Sequence, residues 1–213
     1  TELYKEASAM RHTGTITLET PRLILRRFAA GDAAAMYRNW ASDPEVTRFL
    51  TWPPHESLAV SEQVLADWIH GYDNPRQYQW AIVPRSVGEP IGSISIVKIN
   101  DDIDEIQMGY CIGQKWWHQG YTSEALEAVI RFAFTELGAN RVAAIHNVQN
   151  PHSGGVMQNI GMTYRYTYRE RVEPKKEWVA FRFYQLNLTE PADYVWKGYW
   201  ESHPIHWIED TGV

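Results

Sequence analysis

The segment from Ile112 to Thr122 combines a glycine-containing loop with the start of a helix, an arrangement that can bind an anion. In the residues that follow, 123–137, apolar side chains recur at helical spacing. A helix N-terminus presents unpaired N–H groups and the positive end of the helix dipole. Because glycine lets the backbone approach closely, the segment can hold a pyrophosphate without a basic side chain. Many strand–glycine–helix turns bind nothing, and from these residues alone that alternative stays open.

The composition is that of a globular protein with an excess of acidic residues. The chain has 213 residues, of which 20 are Lys or Arg and 26 are Asp or Glu, so its formal net charge is −6. This length fits one domain, or one domain with an appendage. Binding to nucleic acid needs clustered cations, so no nucleic-acid partner is expected.

The cysteine content and the hydropathy predict a cytoplasmic protein. Cys111 is the single cysteine, which excludes an internal disulfide and a cysteine-rich zinc site and suits a reducing compartment. No apolar run reaches the roughly 18 residues of a membrane helix, so no membrane partner is expected. Residues 1–14 lack the features of a signal peptide and are expected to form an N-terminal arm. His203 and His206 have no third ligand nearby in the sequence, so no metal is expected.

The hydrophobic pattern predicts an α+β fold built on a mixed sheet. Strands are expected at residues 15–28, 78–83, 90–99, 106–112, 141–146, 162–171 and 178–188, and helices at residues 33–40, 57–72, 123–137 and 150–161. Residues 15–190 form the expected domain, and residues 191–213 form a C-terminal extension rich in Tyr and Trp. An exposed aromatic cluster is a liability, so the extension is expected to pack on the domain, form a dimer contact or cover a substrate.

Four stretches of the chain match one family in their order along the sequence. They are LETPRLILRRF at residues 18–28, then residues 78–96, 109–125 and 150–162. Together they span roughly residues 16–188 and resemble the GNAT superfamily of N-acetyltransferases, in particular its branch of ribosomal-protein-alanine acetyltransferases. The resemblance implies the GNAT fold, in which helices flank a mixed, mostly antiparallel central sheet and splayed strands form an acyl-CoA groove.

The resemblance also implies where acetyl-CoA binds as a co-substrate. The family's loop falls on the run WHQGYT, so the pyrophosphate is implied to lie on Trp117, His118, Gln119, Gly120, Tyr121, Thr122 and the following Ser123. The strand around Cys111 and Ile112 is implied to bind the pantetheine arm. Asn150 and Ser153 are implied to lie beside the pantetheine and the sulfur.

The loop departs from the family pattern in two places. His118 stands where this branch commonly has Gly, and Thr122 stands where the family has Gly or Ala. A Cβ atom restricts positive φ, so His118 lowers the affinity for the cofactor if the loop needs that geometry. We expect His118 to be tolerated, and the alternative is that its ring adds a cation near the phosphates.

The family's usual catalytic side chains are replaced in this chain. Met157 stands where many members have the Tyr that protonates the leaving thiolate, so Ser153 is the candidate hydrogen-bond donor to sulfur. Its alternative role is to support the helix N-terminus. Gln107 stands where many members have a Glu base, and Glu105, on the same strand face, is the candidate base. The alternative for Glu105 is a place in a solvated acidic turn, and the further candidates are Tyr110, Glu170 and Glu173.

These residues and the resemblance predict an enzyme that moves an acetyl group from acetyl-CoA to a primary amine by direct attack in a ternary complex. The acceptor is expected to be a protein N-terminus or a small-molecule amine. Its pocket is expected to be aromatic and acidic and thus to favour a cation, with the acidic turn at residues 101–105 and Trp40, Phe49, Trp52, Trp68 and Trp178. Two alternatives stay open: a non-catalytic acyl-CoA-binding module, and an interaction protein that uses the aromatic extension, for example in a homodimer.

Overall fold

The computed structural model describes residues 10–210 of the chain, whose strands form one nine-stranded sheet in the order β1-β2-β3-β4-β5-β6-β8-β7-β9. The strands are β1 (Leu18–Glu19), β2 (Leu23–Arg26), β3 (Tyr78–Pro84), β4 (Gly92–Asn100), β5 (Glu105–Ile112), β6 (Arg141–Asn147), β7 (Thr163–Val172), β8 (Glu177–Asn187) and β9 (His206–Trp207). The helices are α1 (Ala33–Met36), α2 (Pro44–Thr47), α3 (Leu58–Gly71), α4 (Tyr121–Phe132), α5 (Pro151–Asn159) and α6 (Gly198–Ser202). Within residues 10–210, no helix has the length and apolar character to cross a membrane.

The sheet is mixed and mostly antiparallel. All neighbouring strands are antiparallel except β5 and β6, which are parallel. Parallel neighbours need a crossover connection, and α4 lies in the chain between β5 and β6 to supply it. The predicted fold class, a mostly antiparallel α+β sheet flanked by helices, is confirmed.

Helix α4 is anchored to the sheet by its apolar stripe. Ala125, Leu126 and Val129 are fully buried in the main core, together with side chains of β3, β4 and β5. Burying an aliphatic side chain the size of Leu or Val contributes about 1.5–3 kcal/mol. A wider, π-helical turn continues the helix to Leu137, and Gly138 ends it with a φ of +82°. This packing fixes the N-terminus of α4 against the ends of the central strands.

Residues 15–28 form two short strands instead of the one that the pattern predicts. β1 and β2 pair with each other antiparallel, and the backbone N–H of Thr20 donates to the carbonyl oxygen of Leu23 at 2.9 Å. The chain therefore reverses around Pro21. Proline has a fixed φ and no N–H, which suits a turn better than the interior of a continuous strand.

A short helix, α2, lies between the two helices predicted at residues 33–40 and 57–72. Pro44 occupies its first turn, and the side chain of Asp43 accepts a hydrogen bond from the N–H of Glu45 at 2.9 Å. Asp at the N-cap and Pro at the first position are both favourable at a helix start. Pro44 thus begins a helix where the sequence pattern suggests only the end of the preceding one.

The C-terminal extension packs on the sheet as far as residue 210. β9 pairs with β7, and α6 places the Tyr199 ring against Tyr168 at 4.6 Å between centroids. The Tyr199 hydroxyl donates to Gln107 Oε1 at 2.7 Å and accepts from Lys98 Nζ. Over these residues the extension belongs to the packing of the domain. Its predicted roles in a dimer contact or as a substrate cover stay predictions.

The described part of the predicted N-terminal arm lies against the domain. Met10 is buried in the main core, and the N–H of Gly14 donates to the carbonyl oxygen of Pro75 at 2.7 Å. The remaining part of that predicted arm, residues 1–9, lies outside the described residues. Residues 10–14 therefore extend the packed domain towards the N-terminus, beyond the predicted boundary at residue 15.

Candidate active site

The two parallel strands separate along their length and open a groove. β5 and β6 pair from Glu105 and Arg141 to Met108 and Ala144, and the structure shows no pairing between their remaining described residues. The groove has a volume of about 550 Å³ and lies between the end of β5, the N-terminus of α4, and α5 with the two residues before it. The backbone N–H and C=O groups of the separated edges are available to a ligand. Beyond Met108 and Ala144 the two strands are therefore unpaired, as the resemblance implies for splayed strands.

One end of the groove is a helix N-terminus that no side chain caps. Gly120 is the N-cap residue of α4, with a φ of +77°, and no side-chain hydrogen bond reaches the first turn from this position. The unpaired N–H groups of that turn and the positive end of the helix dipole can bind an anion. Tyr121, Thr122 and Ser123 belong to this turn and line the groove, as does Gly120 itself. The arrangement fits a pyrophosphate.

Arg22 holds the loop before α4 in shape, a role that the sequence pattern does not reveal. Its Nη1 donates to the carbonyl oxygen of Gln119 at 2.8 Å, and its Nε donates to Glu124 Oε2 at 2.7 Å. The guanidinium carbon lies 4.4 Å from the centre of the Tyr121 ring. Gln119 itself is exposed and is not part of the groove lining. Arg22 thus braces the loop from outside the groove.

His118 adopts the left-handed conformation that a Cβ atom disfavours. Its φ is +61°, a conformation that costs a non-glycine residue about 1–2 kcal/mol. Its Nε2 lies 2.9 Å from Nε2 of His152 in α5, so one ring donates and the other accepts a hydrogen bond. Both residues line the groove, and sequence reasoning missed His152. Within residues 10–210, no group of three or more His, Cys, Asp or Glu side chains could hold a metal ion. The two histidines therefore have no third such ligand beside them.

The end of β5 and the residue Trp117 form one wall of the groove. Trp117 Nε1 donates to the carbonyl oxygen of Ile112 at 2.9 Å, which fixes the indole against the strand end. Cys111 Sγ lies 3.6 Å from Ser93 Oγ, and burial raises the pKa of the thiol. Because a thiol with a raised pKa stays protonated, Cys111 is a poor nucleophile and contributes by packing.

Tyr110 and Ser153 meet inside the groove. The Tyr110 hydroxyl donates to the carbonyl oxygen of Ser153 at 3.2 Å and lies 3.1 Å from Ser153 Oγ. Burial raises the pKa of Tyr110 well above its ordinary value, so the hydroxyl keeps its proton. Asn150 is the N-cap of α5, and its side chain accepts from the N–H of Ser153 at 3.4 Å. The N–H of Ser153 thus supports the start of α5 while its hydroxyl faces Tyr110. Its predicted role as a hydrogen-bond donor to sulfur stays a prediction. Met157, which stands where many family members have the Tyr that protonates the thiolate, is buried in the main core.

The structure does not bring Glu105 to the groove. It is buried at the start of β5, opposite Arg141, where the two parallel strands are still paired. Burial raises the pKa of Glu105 to about 7, and the positive charge of Arg141 opposes that rise. Gln107 on the same strand face is held by Tyr199 beneath the C-terminal extension. The side chain of Glu105 is therefore neither solvated in a turn nor placed beside the groove. Its predicted role as a base has no support from its position.

The predicted aromatic and acidic lining does not form one surface. Trp40 is fully buried in a core cluster, and Trp68 packs against the same cluster. Asp101 of the acidic turn is ion-paired to an arginine at 2.7 Å. It lines neither this groove nor a second cleft, which lies between α2, the end of β6 and the strands β7 and β8. Phe49 lines the groove, whereas Trp178 lines that second cleft. The predicted aromatic residues are thus divided between the core and two separate surfaces.

The sheet thus has one parallel pair whose strands are unpaired beyond Met108 and Ala144, and an uncapped helix N-terminus lies at one end of the groove. The comparisons with known proteins give the family. The family model described as an acetyltransferase (GNAT) domain matches residues 22–163, which is more than half of the chain. The chain therefore belongs to the GNAT family, and the predicted membership of that superfamily is confirmed.

Individual relatives agree with this assignment. N-acetyltransferase YoaA of Bacillus subtilis (strain 168), itself uncharacterized, is 30% identical over 144 residues, which are 68% of this chain and 81% of that protein. A GNAT-family acetyltransferase from Bacillus anthracis has a similar fold, with a TM-score of 0.70 at 20% identity over 81% of this chain and 99% of that chain. The microcin C7 self-immunity acetyltransferase MccE, solved with acetyl-CoA and AMP, has a TM-score of 0.70 at 15% identity over 79% of this chain and 93% of that chain.

Proposed function

We propose that the chain is an acetyl-CoA-dependent N-acetyltransferase that moves an acetyl group to a primary amine by direct attack in a ternary complex. The acceptor amine belongs to a protein N-terminus or to a small molecule. The observation that carries the proposal is the uncapped N-terminus of α4 at one end of the groove, with the Tyr110–Ser153 pair inside it. Membership of the GNAT family supports acetyl transfer, and a protein of similar fold, MccE, was solved with acetyl-CoA.

The residues present fit acetyl-CoA along the groove. The N–H groups of residues 121–123 suit the pyrophosphate, because they carry partial positive charge and have no side-chain cap. The edge of β5 beyond Met108, unpaired on its β6 side, can exchange hydrogen bonds with the amides of the pantetheine arm. Asn150 and His152 line the opposite wall. Acetyl-CoA, when bound, supplies an activated acetyl thioester.

Tyr110 is the residue of this chain that we propose to protonate the departing sulfur. Tyr110 lines the groove, and its hydroxyl lies 3.1 Å from Ser153 Oγ on the groove wall, where it can donate to a sulfur atom. Ser153 contacts that hydroxyl through two oxygen atoms and is a positioning residue. No carboxylate is present among the described residues that line the groove, so we propose that the amine loses its proton to water before it attacks.

A turnover assay that detects the acetylated amine tests the proposal. The protein is incubated with acetyl-CoA and a panel of primary amines, and the products are measured by mass spectrometry. Tyr110→Phe removes the hydroxyl in the groove, and Tyr37→Phe is a matched control whose hydroxyl lies outside the groove lining. We expect product above the uncatalysed rate in the wild type and in the control, and a loss of about 100-fold in Tyr110→Phe.

The contradicting result is a protein that binds acetyl-CoA in a calorimeter and acetylates none of the amines. That outcome favours the alternative of a non-catalytic acyl-CoA-binding module, which the sequence leaves open because Met157 and Gln107 replace usual catalytic residues.

A further inference from the structure

A second cleft opens beside the groove. It has a volume of about 930 Å³ and lies between α2, the loop that follows α2, the end of β6 and the paired strands β7 and β8. Gln149 lines both cavities, and α2 contributes Val46 to the groove and Thr47 to the cleft. A molecule bound in the cleft therefore lies next to the groove that holds Tyr110 and Ser153.

The cleft is basic although the chain as a whole is acidic. Arg48, Arg169 and Lys175 line it, and Glu177 is the acidic residue among its described lining residues. Because the formal net charge of the chain is −6, this concentration of positive charge is a local feature. The surface formed by these residues is called the basic cleft below.

Two of the cations in the basic cleft have no carboxylate to neutralise them. For the part of the chain that the structure describes, no Asp or Glu oxygen lies within 4.0 Å of a side-chain nitrogen of Arg48 or Arg169. Lys175 Nζ instead donates to the carbonyl oxygen of Thr47 at 2.8 Å and ties the β7–β8 hairpin to α2. Both arginines are exposed, so their guanidinium groups can bind an anion that enters from solvent.

Aromatic side chains lie beside these arginines. Trp178 is 57% exposed and Trp207 is 37% exposed, and both line the basic cleft. The guanidinium carbon of Arg169 lies 5.7 Å from the centre of the Trp178 ring. An exposed indole beside an unpaired arginine suits a ligand that carries an apolar or ring-shaped part next to an anionic group.

We propose that the acceptor amine carries a carboxylate or phosphate group, which Arg48 and Arg169 bind, and an adjacent apolar part, which packs on Trp178. This inference rests on the proposed function and names the substrate class for it. It is the opposite of the cationic acceptor that the sequence predicts. The acidic turn lies away from both cavities, whereas the β7–β8 hairpin brings its cations to α2.

The proposed step balances as an acyl transfer. The amine nitrogen forms a bond to the acetyl carbon, and the carbon–sulfur bond of the thioester breaks. The sulfur takes a proton from the Tyr110 hydroxyl, which is restored from solvent, and the protons that the amine loses pass to water. The anionic group takes no part in the bond changes, because its role is to hold the amine at the mouth of the groove.

Matched acceptors separate the effect of charge from the rest of the molecule. L-phenylalanine and 2-phenylethylamine differ by a carboxylate, and short peptides with Asp-Glu or Lys-Arg after an N-terminal Ala differ in the sign of their charge. The small amines and the peptides distinguish a free compound from a protein N-terminus as the source of the same chemistry. We expect kcat/KM to be about tenfold or more higher for the anionic member of each accepted pair, because two cations act on one anion.

Variants assign this preference to the basic cleft. Arg48→Gln combined with Arg169→Gln is expected to lower kcat/KM for the anionic acceptor about tenfold and to leave its neutral or cationic counterpart within about twofold. Arg169→Glu is expected to reverse the preference between the charged peptides. Arg131→Gln removes an exposed arginine of α4 that does not line the cleft, and is expected to change neither value.

The outcomes separate this inference from the proposed function. Equal acetylation within each pair, or a preference for the neutral or cationic member, overturns the anionic class while acetyl transfer stands. If no amine is acetylated, calorimetric titration of L-phenylalanine and of the Asp-Glu peptide into the CoA-saturated protein measures the cleft directly. Binding that the double arginine variant abolishes supports the anionic class, and absence of binding overturns it.

Discussion

A substitution of Glu105 tests whether this residue has a structural role or a catalytic one. Its side chain is 5% exposed, and burial raises its pKa from 4.5 to about 7. The perturbation is Glu105→Gln, which has nearly the shape of the protonated acid and cannot ionise. Because the carboxyl lies outside the groove, we expect the variant to change stability with pH and to leave acetyl transfer intact.

The sign of the effect follows from the direction of the pKa change. A raised pKa in the folded state means that the protonated side chain favours folding, a contribution that is complete below pH 4.5 and is lost as the pH rises through about 7. At about 1.4 kcal/mol per pH unit, ionisation of Glu105 costs the wild type up to about 3 kcal/mol at pH 8. Glu105→Gln avoids that cost, so its Tm at pH 8 is expected to be about 5–10 °C higher than that of the wild type.

The assay is thermal unfolding at pH 5 and pH 8, together with turnover at pH 8. The two proteins are expected to unfold within about 2 °C of each other at pH 5, where the wild-type carboxyl is largely protonated. Glu127→Gln removes an exposed carboxylate from α4 and is the matched control, with no expected difference at either pH. A loss of turnover of about 100-fold in Glu105→Gln refutes the reasoning, because that is the loss expected for a general base. A variant that is destabilised equally at both pH values refutes it too.

Three further substitutions test the groove and its supports. Tyr110→Phe is expected to lower kcat for acetyl transfer about 100-fold with little change in KM for acetyl-CoA, and an unchanged kcat removes the hydroxyl from the mechanism. Arg22→Gln releases the loop before α4 and is expected to raise the Kd for acetyl-CoA about three- to tenfold in calorimetry, where equal affinity contradicts the bracing role. Gly154→Ala places a Cβ 2.7 Å from Nε2 of the buried His146 and is expected to cost about 1–3 kcal/mol in urea unfolding. Gly155→Ala, whose Cβ meets open space, is its control and is expected to cost nothing, so equal stability of the two variants contradicts the packing argument.

The helix N-terminus at one end of the groove can be predicted from the sequence because its signal is local. Gly120 supplies the positive φ at the start of α4, and the apolar spacing of residues 123–137 marks the helix that follows. The helix starts at Tyr121, two residues before the predicted start, which is the ordinary uncertainty of a helix end. At His118 the sequence raises the question of whether the loop needs a positive φ, but it cannot answer that question.

The contacts that complete the site are not local, and the sequence pattern does not contain them. Arg22 reaches Gln119 across 97 positions of the chain, and Tyr110 reaches Ser153 across 43. Strand alternation predicts which side of the sheet Tyr110 faces. Its hydrogen-bond partner, Ser153, depends on the position of α5 beside β5. His152 likewise acquires its partner from the approach of α5 to the loop.

The residues proposed to contact the acceptor also cannot be identified from the sequence pattern alone, because their exposure and their charged neighbours depend on the fold. Trp40 and Trp178 look alike in the sequence, yet the first is fully buried and the second is 57% exposed. The acidic turn is evident along the chain, whereas Arg48 and Arg169 lie 121 positions apart and line the same cleft only in the folded chain. The charge of the inferred acceptor therefore changes from positive, as the sequence suggests, to negative once the fold is known.

Calorimetric titration of acetyl-CoA tests most directly whether the groove between the end of β5, the N-terminus of α4 and α5 binds this co-substrate. Gly155 lines the groove with open space at its Cβ, so Gly155→Phe is expected to fill the groove while Gly155→Ala leaves it open. We expect micromolar binding, one molecule per chain, to the wild type and to Gly155→Ala, and affinity at least about tenfold lower for Gly155→Phe. Absence of binding at millimolar acetyl-CoA, or equal affinity of a folded Gly155→Phe variant, contradicts this expectation.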